Sequence, residues 1–194
     1  MFPSESIDIA RRSIWLAVAE HERLEIDRAS HVGTLLPPAE HLALATISQI
    51  VGYAEVCAVE VLQWIARNIA GPLPPGARER ALTVQREIEA TWEGRTDFVK
   101  NWLDVKWAGD SWYQAWRGFV EARNAWAHGS GQLTRLQLAQ KGTEGYLSAA
   151  GLAVVNHGLR PDEADVRRCA QAGDHLLGSL GSLEPLIMAT GAGS

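Results

Sequence analysis

Apolar side chains recur every three or four residues along most of the chain, and this spacing predicts a protein built mainly from helices. The first helix is expected over residues 4–30, and a second, longer one from about residue 39 to residue 70. Gly33 and the two prolines that follow it, at 37–38, are expected to separate these helices, because both residue types interrupt helical structure. Residues 71–76, rich in proline and glycine, predict a loop after the second helix.

Further helix boundaries can be placed in the middle of the chain. Residues 77–107 are expected to be helical, with a break or kink at Gly94. Ser111 is expected to cap a fourth helix over residues 112–128, since serine side chains accept hydrogen bonds from free N–H groups at helix starts. The Gly-Ser-Gly run at 129–131 should end that helix.

The C-terminal third carries mixed signals. A short helix is expected over residues 133–140, and a two-stranded hairpin over 145–159 with its turn at the Ala-Ala-Gly run of 149–151. Pro161 suits the first turn of a last helix that should reach about residue 183.

These elements together predict a mainly all-α fold. We expect a helical bundle with a small C-terminal β-hairpin and a final helix, forming a single domain over residues 1–194. Its core helices should lie within about 39–130, and residues 131–190 should form the hairpin and helix extension.

Composition narrows the class of protein. With 46% hydrophobic and 21% charged residues, the chain has enough apolar material for a core. The formal net charge is -5, so no broad basic surface for a long duplex is expected, and any contact with nucleic acid must be local. The two cysteines, Cys57 and Cys169, form no metal or disulfide pattern, which fits a reducing compartment.

No membrane association is expected. The N-terminus becomes charged too early for a signal peptide. The most apolar stretch, residues 42–70, is interrupted by polar side chains, and this favours a buried helix over a membrane span. We therefore predict a cytoplasmic protein.

Candidate chemistry is concentrated in the fourth helix. At about 100° per residue, Trp112, Trp116, Phe119 and Trp126 fall on one face, which should pack inward, and Arg123 lies near its middle. An unpaired buried charge is costly. Arg123 should therefore stack on tryptophan or pair with a carboxylate of the second helix, or else line a cleft and bind an anion such as phosphate.

Two further polar residues follow Arg123 on this helix. Asn124 and His128 are four residues apart and share a face, and His128 occupies the last turn, where an imidazolium also favours the helix dipole. Glu55 borders the apolar line of the second helix and could hold Arg123 in place, although an exposed helical glutamate is the simpler interpretation.

The stretch from Phe119 to Gly129 contains the pattern Arg-Asn-x-x-x-His, formed by Arg123, Asn124 and His128 at the end of a helix. This pattern resembles the signature of the HEPN superfamily, and the likeness in helix order covers about residues 40–130. The resemblance implies metal-independent RNA cleavage at an active site formed across a homodimer. A toxin branch of that family carries a modifiable tyrosine two residues after the histidine, where this chain has Ser130.

The chemistry that the resemblance implies suits these residue types. His128 could act as the general base on the 2′-hydroxyl, Arg123 could stabilise the phosphorane, and Asn124 could orient the imidazole or bind a phosphate oxygen. We therefore expect an endoribonuclease, as a toxin or antiviral defence effector, with RNA as substrate and an antitoxin or defence protein as a potential partner. The alternative is a catalytically silent HEPN-like module that binds nucleotide, RNA or protein, and a third possibility is a structural dimerisation protein.

Other constellations predict no chemistry. His21, His31 and His41 have no metal-site spacing and are expected at the solvated surface, and His157 is expected in a loop. The chain contains no HExxH, P-loop, GxGxxG or GxSxG pattern. No metal and no cofactor are therefore expected.

Overall fold

A computed structural model describes residues 1–30, 38–70 and 73–191 of the chain. It confirms the mainly all-α class, with one small two-stranded sheet among the described residues. The elements are α1 (Ser4–Ser30), α2 (Ala39–Ala70), α3 (Pro75–Ala90), α4 (Trp92–Leu103), α5 (Ser111–Gly129), α6 (Arg135–Ala139), α7 (Thr143–Ala149), β1 (Val154–Val155), β2 (Gly158–Leu159), α8 (Glu163–Gly181) and α9 (Glu184–Gly191). The predicted breaks at Gly33, Pro37 and Gly71 lie outside the described residues.

Helix α2 is the central element of the bundle, because it packs against α1, α3, α5 and α8. Its predicted apolar line is buried, and one hydrophobic cluster of the described residues extends from Phe2 to Ile187. The buried residues of that line are Ile47, Val51, Ala54, Ala58, Val61, Leu62 and Ile65. Burial of this line against four helices explains why α2 persists through 32 residues.

The break predicted at Gly94 is wrong by three residues. The chain leaves the helix at Thr91, whose backbone is extended and whose side chain accepts a hydrogen bond from the N–H of Gly94. Gly94 therefore lies inside the first turn of α4. A Cβ there would lie 2.3 Å from the carbonyl oxygen of Glu87, so the glycine permits α3 and α4 to approach.

Helix α5 begins and ends close to the predicted residues. Its N-cap is Asp110, and Ser111 is the first helical residue, which corrects the prediction by one position. At the other end, Ser130 has a φ of 51°, and the N–H groups of Ser130 and Gly131 donate to the last carbonyls of the helix. The turn predicted at 129–131 is confirmed.

The hairpin lies further along the chain than predicted. Residues 143–149 form α7, and strands β1 and β2 pair antiparallel, with Val154 opposite Leu159. Asn156 and His157, each with positive φ, form the two-residue turn, as the twist of a tight hairpin requires. The prediction that the hairpin begins at residue 145 is wrong, because Tyr146 and Leu147 belong to a helix that packs on α5.

The C-terminal helix also differs from the prediction. Helix α8 starts with a capping box formed by Asp162 and Asp165, ends at Gly181, and is followed by a separate helix, α9.

Helix α2 is long and apolar enough to cross a membrane by length and composition, but half of its most apolar window is buried within the bundle. A buried core helix can meet the same criteria of length and composition.

Candidate functional site

A cleft of about 750 Å³ lies between α2, the α3–α4 junction, α5 and α6. All four residues singled out from the sequence line it: Glu55 from α2, and Arg123, Asn124 and His128 from α5. Helices that are distant in sequence therefore bring the predicted residues to one open site.

Arg123 is held by a carboxylate of α2. Its Nη2 donates to Oε2 of Glu55, and Arg95 of α4 donates to the other carboxylate oxygen at 2.7 Å. The side chain of Arg123 is 29% exposed, so it lies at the edge of the aromatic face and not within it. Glu55 therefore contacts Arg123, in place of the exposed glutamate that was the simpler interpretation of the sequence, and it bridges two arginines.

Arg95 fixes this arrangement to the backbone. Its Nε and Nη2 donate to the carbonyl oxygens of Ile88 and Glu89 at the end of α3, at 2.8 and 3.2 Å. Its guanidinium also lies 4.6 Å from the ring centroid of Trp92. These contacts satisfy an arginine whose side chain is only 3% exposed.

Asn124 and His128 lie along the accessible part of the cleft. Asn124 is half-buried, and His128 is exposed in the last turn of α5. No hydrogen bond to the His128 side chain comes from the described residues. Because the side chain is exposed and lines the cleft, the imidazole is reachable from it, and no neighbour in the described part of the chain fixes its tautomer.

A second ion pair lies on the cleft wall. Arg117 is buried, and its Nη2 donates to Oε1 of Glu93 at 2.6 Å. Burial lowers the pKa of Arg117, but Tyr113 and Glu93 outweigh this effect and leave that pKa raised. Burial raises the pKa of Glu93, whereas the Arg117 hydrogen bond and nearby guanidiniums lower it, and the net result is a lowered pKa.

Helix α6 closes one side of the cleft through a buried polar contact. Gln137 donates from Nε2 to the side chain and to the backbone carbonyl of Glu121, at 2.8 and 2.9 Å. Gln137 also forms a capping box with Thr134 at the start of α6. The short helix is thereby joined to α5 beside the predicted motif.

Several buried N–H groups around the cleft have no acceptor. Among the described residues, the buried side-chain nitrogens without a hydrogen-bond partner include Nε of Arg117, Nε of Arg123 and Nε1 of Trp92. All three residues line the cleft. This wall therefore has more N–H donors than the described residues satisfy.

Arg95, Arg117 and Glu93 were missed from the sequence, although a signal was present for the two arginines. Arg95 shares a helical face with Trp92 and Phe98, as Arg117 does with Tyr113, and in each case a charge falls among apolar positions. The same reasoning that singled out Arg123 applies to both. Glu93 is exposed and carries no such signal.

The aromatic face of α5 is only partly as predicted. Trp116 and Phe119 are fully buried, whereas Trp112 and Trp126 are partly buried at the edge of the core. The ring of Trp126 contacts His41 at a centroid distance of 5.4 Å.

The surface position predicted for His21 is wrong. His21 is 2% exposed, its Nδ1 lies 3.2 Å from the Thr46 hydroxyl, and its pKa is lowered by burial. His41 is exposed and His157 occupies the hairpin turn, as expected, while His31 lies outside the described residues. Among the residues that the structure describes, no three His, Cys, Asp or Glu side chains gather in a way that could hold a metal ion.

Comparisons of the chain with models of protein families, with curated proteins and with solved structures found no match.

Proposed function

We propose that this protein is an endoribonuclease of the HEPN type that cleaves RNA without a metal ion. The observation that carries the proposal is the convergence of Arg123, Asn124 and His128 on one open cleft, with Arg123 held there by Glu55. An accessible imidazole can act as the general base of such cleavage, and a cation and an amide can stabilise the charge that develops on the phosphate.

In the proposed reaction, His128 accepts the proton of a 2′-hydroxyl while the 2′-oxygen attacks the adjacent phosphorus. The bond from phosphorus to the 5′-oxygen breaks, and that oxygen takes up a proton from solvent. The products are a 2′,3′-cyclic phosphate and a 5′-hydroxyl. Arg123 stabilises the charge of the phosphorane, and Asn124 orients the imidazole or binds a phosphate oxygen.

The proposal includes a homodimer in which two such clefts face each other. Its support is the exposure of apolar side chains at the cleft, because Val56 and Leu136 line it and are each 69% exposed. A cytoplasmic toxin or antiviral effector, controlled by an antitoxin or defence partner, is the biological role that we propose for this activity.

A catalytically silent binding module is the second candidate. The observation that favours it is the pairing of Arg123 with Glu55, since a guanidinium that already has a carboxylate partner is less available to a phosphate. The acidic net charge of -5 favours it in the same direction.

RNA cleavage in EDTA distinguishes the two candidates. The purified protein is expected to cleave a mixed RNA pool in EDTA and to leave 2′,3′-cyclic phosphate ends. His128→Ala is expected to lower the rate by about 10²–10⁴-fold, and His175→Ala, an exposed histidine of α8 outside the cleft, should leave the rate unchanged.

Arg123→Ala should damage cleavage at least as much as His128→Ala, with circular dichroism used to check that the helices persist. A folded His128→Ala protein that cleaves at the wild-type rate contradicts the ribonuclease proposal. RNA binding without cleavage by the wild type supports the silent module.

A further inference from the structure

We infer that Arg117 forms a second anion-binding subsite in the same cleft, and that the carboxylate of Glu93 occupies this subsite in the free protein. The inference rests on the proposed function and specifies its substrate: an RNA strand that places one phosphate at Arg123 and a neighbouring phosphate at Arg117.

The two partners of this ion pair differ in burial. The side chain of Arg117 is 10% exposed, whereas that of Glu93 is 68% exposed. Most of the Arg117 side chain is packed inside the protein and would have to be unpacked for the guanidinium to move away, whereas an exposed carboxylate can rotate into water at little cost. Glu93 is therefore the exchangeable member of the pair.

A contact with α7 also positions the guanidinium of Arg117. Gly118 allows α7 to approach α5, since a Cβ at Gly118 would lie 2.2 Å from the carbonyl oxygen of Tyr146. This close approach places the ring of Tyr146 under Arg117, with the guanidinium carbon 4.9 Å from the ring centroid. This contact with the ring positions the cation independently of Glu93.

Arg117 also has donor capacity to spare. Among the described residues its Nε is buried without an acceptor, its hydrogen bond to Glu93 uses only Nη2, and its side chain also hydrogen-bonds Tyr113. A phosphate has several acceptor oxygens, whereas the single contact from Glu93 supplies one. A phosphate that replaces the carboxylate can therefore accept from Nη2 as Glu93 does, and it keeps further oxygens for other donors of the cleft.

The spacing of the two arginines determines the class of ligand. Arg117 and Arg123 are six residues apart on α5, which corresponds to about 9 Å along the helix axis, and both line the cleft. With a phosphate of its own at each guanidinium, the site should favour an oligonucleotide over a ligand with one phosphate.

Two non-cleavable probes test this inference: a 2′-O-methyl uridine dinucleotide with one phosphodiester, and the corresponding trinucleotide with two. Binding is measured by titration calorimetry. The wild type is expected to bind the trinucleotide at least about tenfold more tightly than the dinucleotide, the gain typical of one charge-assisted contact. Arg117→Gln should remove that gain and leave dinucleotide affinity within about twofold.

Salt dependence gives a second readout. For single strands, the slope of log K against log salt changes by about 0.7 for each phosphate that is neutralised. The trinucleotide slope should therefore become shallower by about this amount in Arg117→Gln. A purely structural role for Arg117 would not change this slope for a folded protein.

Glu93→Gln tests the exchange and does not depend on Arg117→Gln folding, because Glu93 is exposed. It should bind the trinucleotide several-fold more tightly than the wild type. The matched control is Glu89→Gln, which removes the same charge from the same cleft. Among the described residues, the side chain of Glu89 accepts a hydrogen bond from Gln63 and pairs with no arginine. An equal effect of the two glutamate variants means that Glu93 does not occupy the subsite, and it overturns the inference.

The outcomes separate this inference from the proposed function. Unchanged trinucleotide gain and unchanged salt slope in Arg117→Gln overturn the subsite, while dinucleotide binding at Arg123 leaves the ribonuclease proposal standing. If the wild type binds neither probe, the subsite is overturned, and the ribonuclease proposal is decided by the cleavage assay in EDTA.

Discussion

The charged residues of the cleft and those on the outer surface of α1 form the same kind of contact in different surroundings. On α1, Arg23 pairs with Glu20 and Asp27 at 2.7 Å, and all three side chains are at least half exposed. In the cleft, Glu55 is 22% exposed and its partner Arg95 only 3%. Distance alone does not distinguish the two regions.

Burial changes how much the same ion pair contributes to stability. Exposed pairs contribute little to stability, because water and salt screen them and ordering two long side chains costs entropy. A buried pair costs desolvation when it forms and leaves an uncompensated charge when one partner is removed. The cleft is therefore where a single substitution should have large consequences for both folding and binding.

Removing the shared carboxylate is the strongest test of this difference. Glu55→Ala leaves Arg95 and Arg123 without their common partner, and we expect the free energy of unfolding to fall by about 3 kcal/mol. Urea denaturation provides the measurement. Glu20→Ala, which deletes an exposed partner of Arg23, should leave the denaturation midpoint almost unchanged, and similar losses in the two variants would contradict the comparison.

The packing behind the cleft can be tested at the contact between α5 and α7. Gly118→Ala places a methyl group against the backbone of Tyr146, and we expect it to lower the free energy of unfolding by about 1–3 kcal/mol. Gly145→Ala is the matched control, because a Cβ at Gly145 meets nothing within 4 Å.

The changes in the free energy of unfolding are expected to have opposite signs in Gly118→Ala and Gly145→Ala. Gly145→Ala should raise stability by up to about 1 kcal/mol through helix propensity, again measured by urea denaturation. A stable Gly118→Ala protein would show that α7 does not pack tightly on α5, and the support for the Arg117 position would be lost.

His21 tests the effect of burial on α1 itself, because it is a buried titratable group on a helix whose other charged side chains are exposed or only partly buried. Burial lowers its pKa below the ordinary 6.5, and Glu25, Glu163 and Glu22 only partly oppose this shift. The unfolded chain therefore takes up the proton first as the pH falls. Stability from neutral His21 is present above pH 6.5 and is lost as the pH falls from there towards the folded-state pKa.

The expected size of this effect is small, with a slope of at most about 1.4 kcal/mol per pH unit for one proton. Urea denaturation of the wild type and of His21→Gln should be compared from neutral pH to mildly acidic pH. The slope should be shallower in His21→Gln. Equal slopes in the two proteins would assign the pH dependence to other groups.

The sequence was informative where interactions are local. Helical periodicity placed α1 and α2 at their observed bounds, and the Gly-Ser-Gly run placed the end of α5, because both signals arise from neighbours within a few residues. Where local signals compete, prediction failed. The Tyr146 segment has apolar residues at a spacing that either a strand or a short helix could use, and packing on α5 selected the helix.

The candidate site divides along the same line. From the sequence alone, Arg123 could be identified as a charge on an apolar face that needs an oppositely charged partner or ligand. Asn124 and His128 could be identified as its neighbours on the last turns of the same helix. The sequence could not determine that Glu55, 68 residues away, pairs with both Arg123 and Arg95. Nor could it determine that Glu93 pairs with Arg117. Those contacts depend on how α2, α4 and α5 cross, and crossing is set by the packing of side chains from distant segments, which periodicity along one helix does not encode.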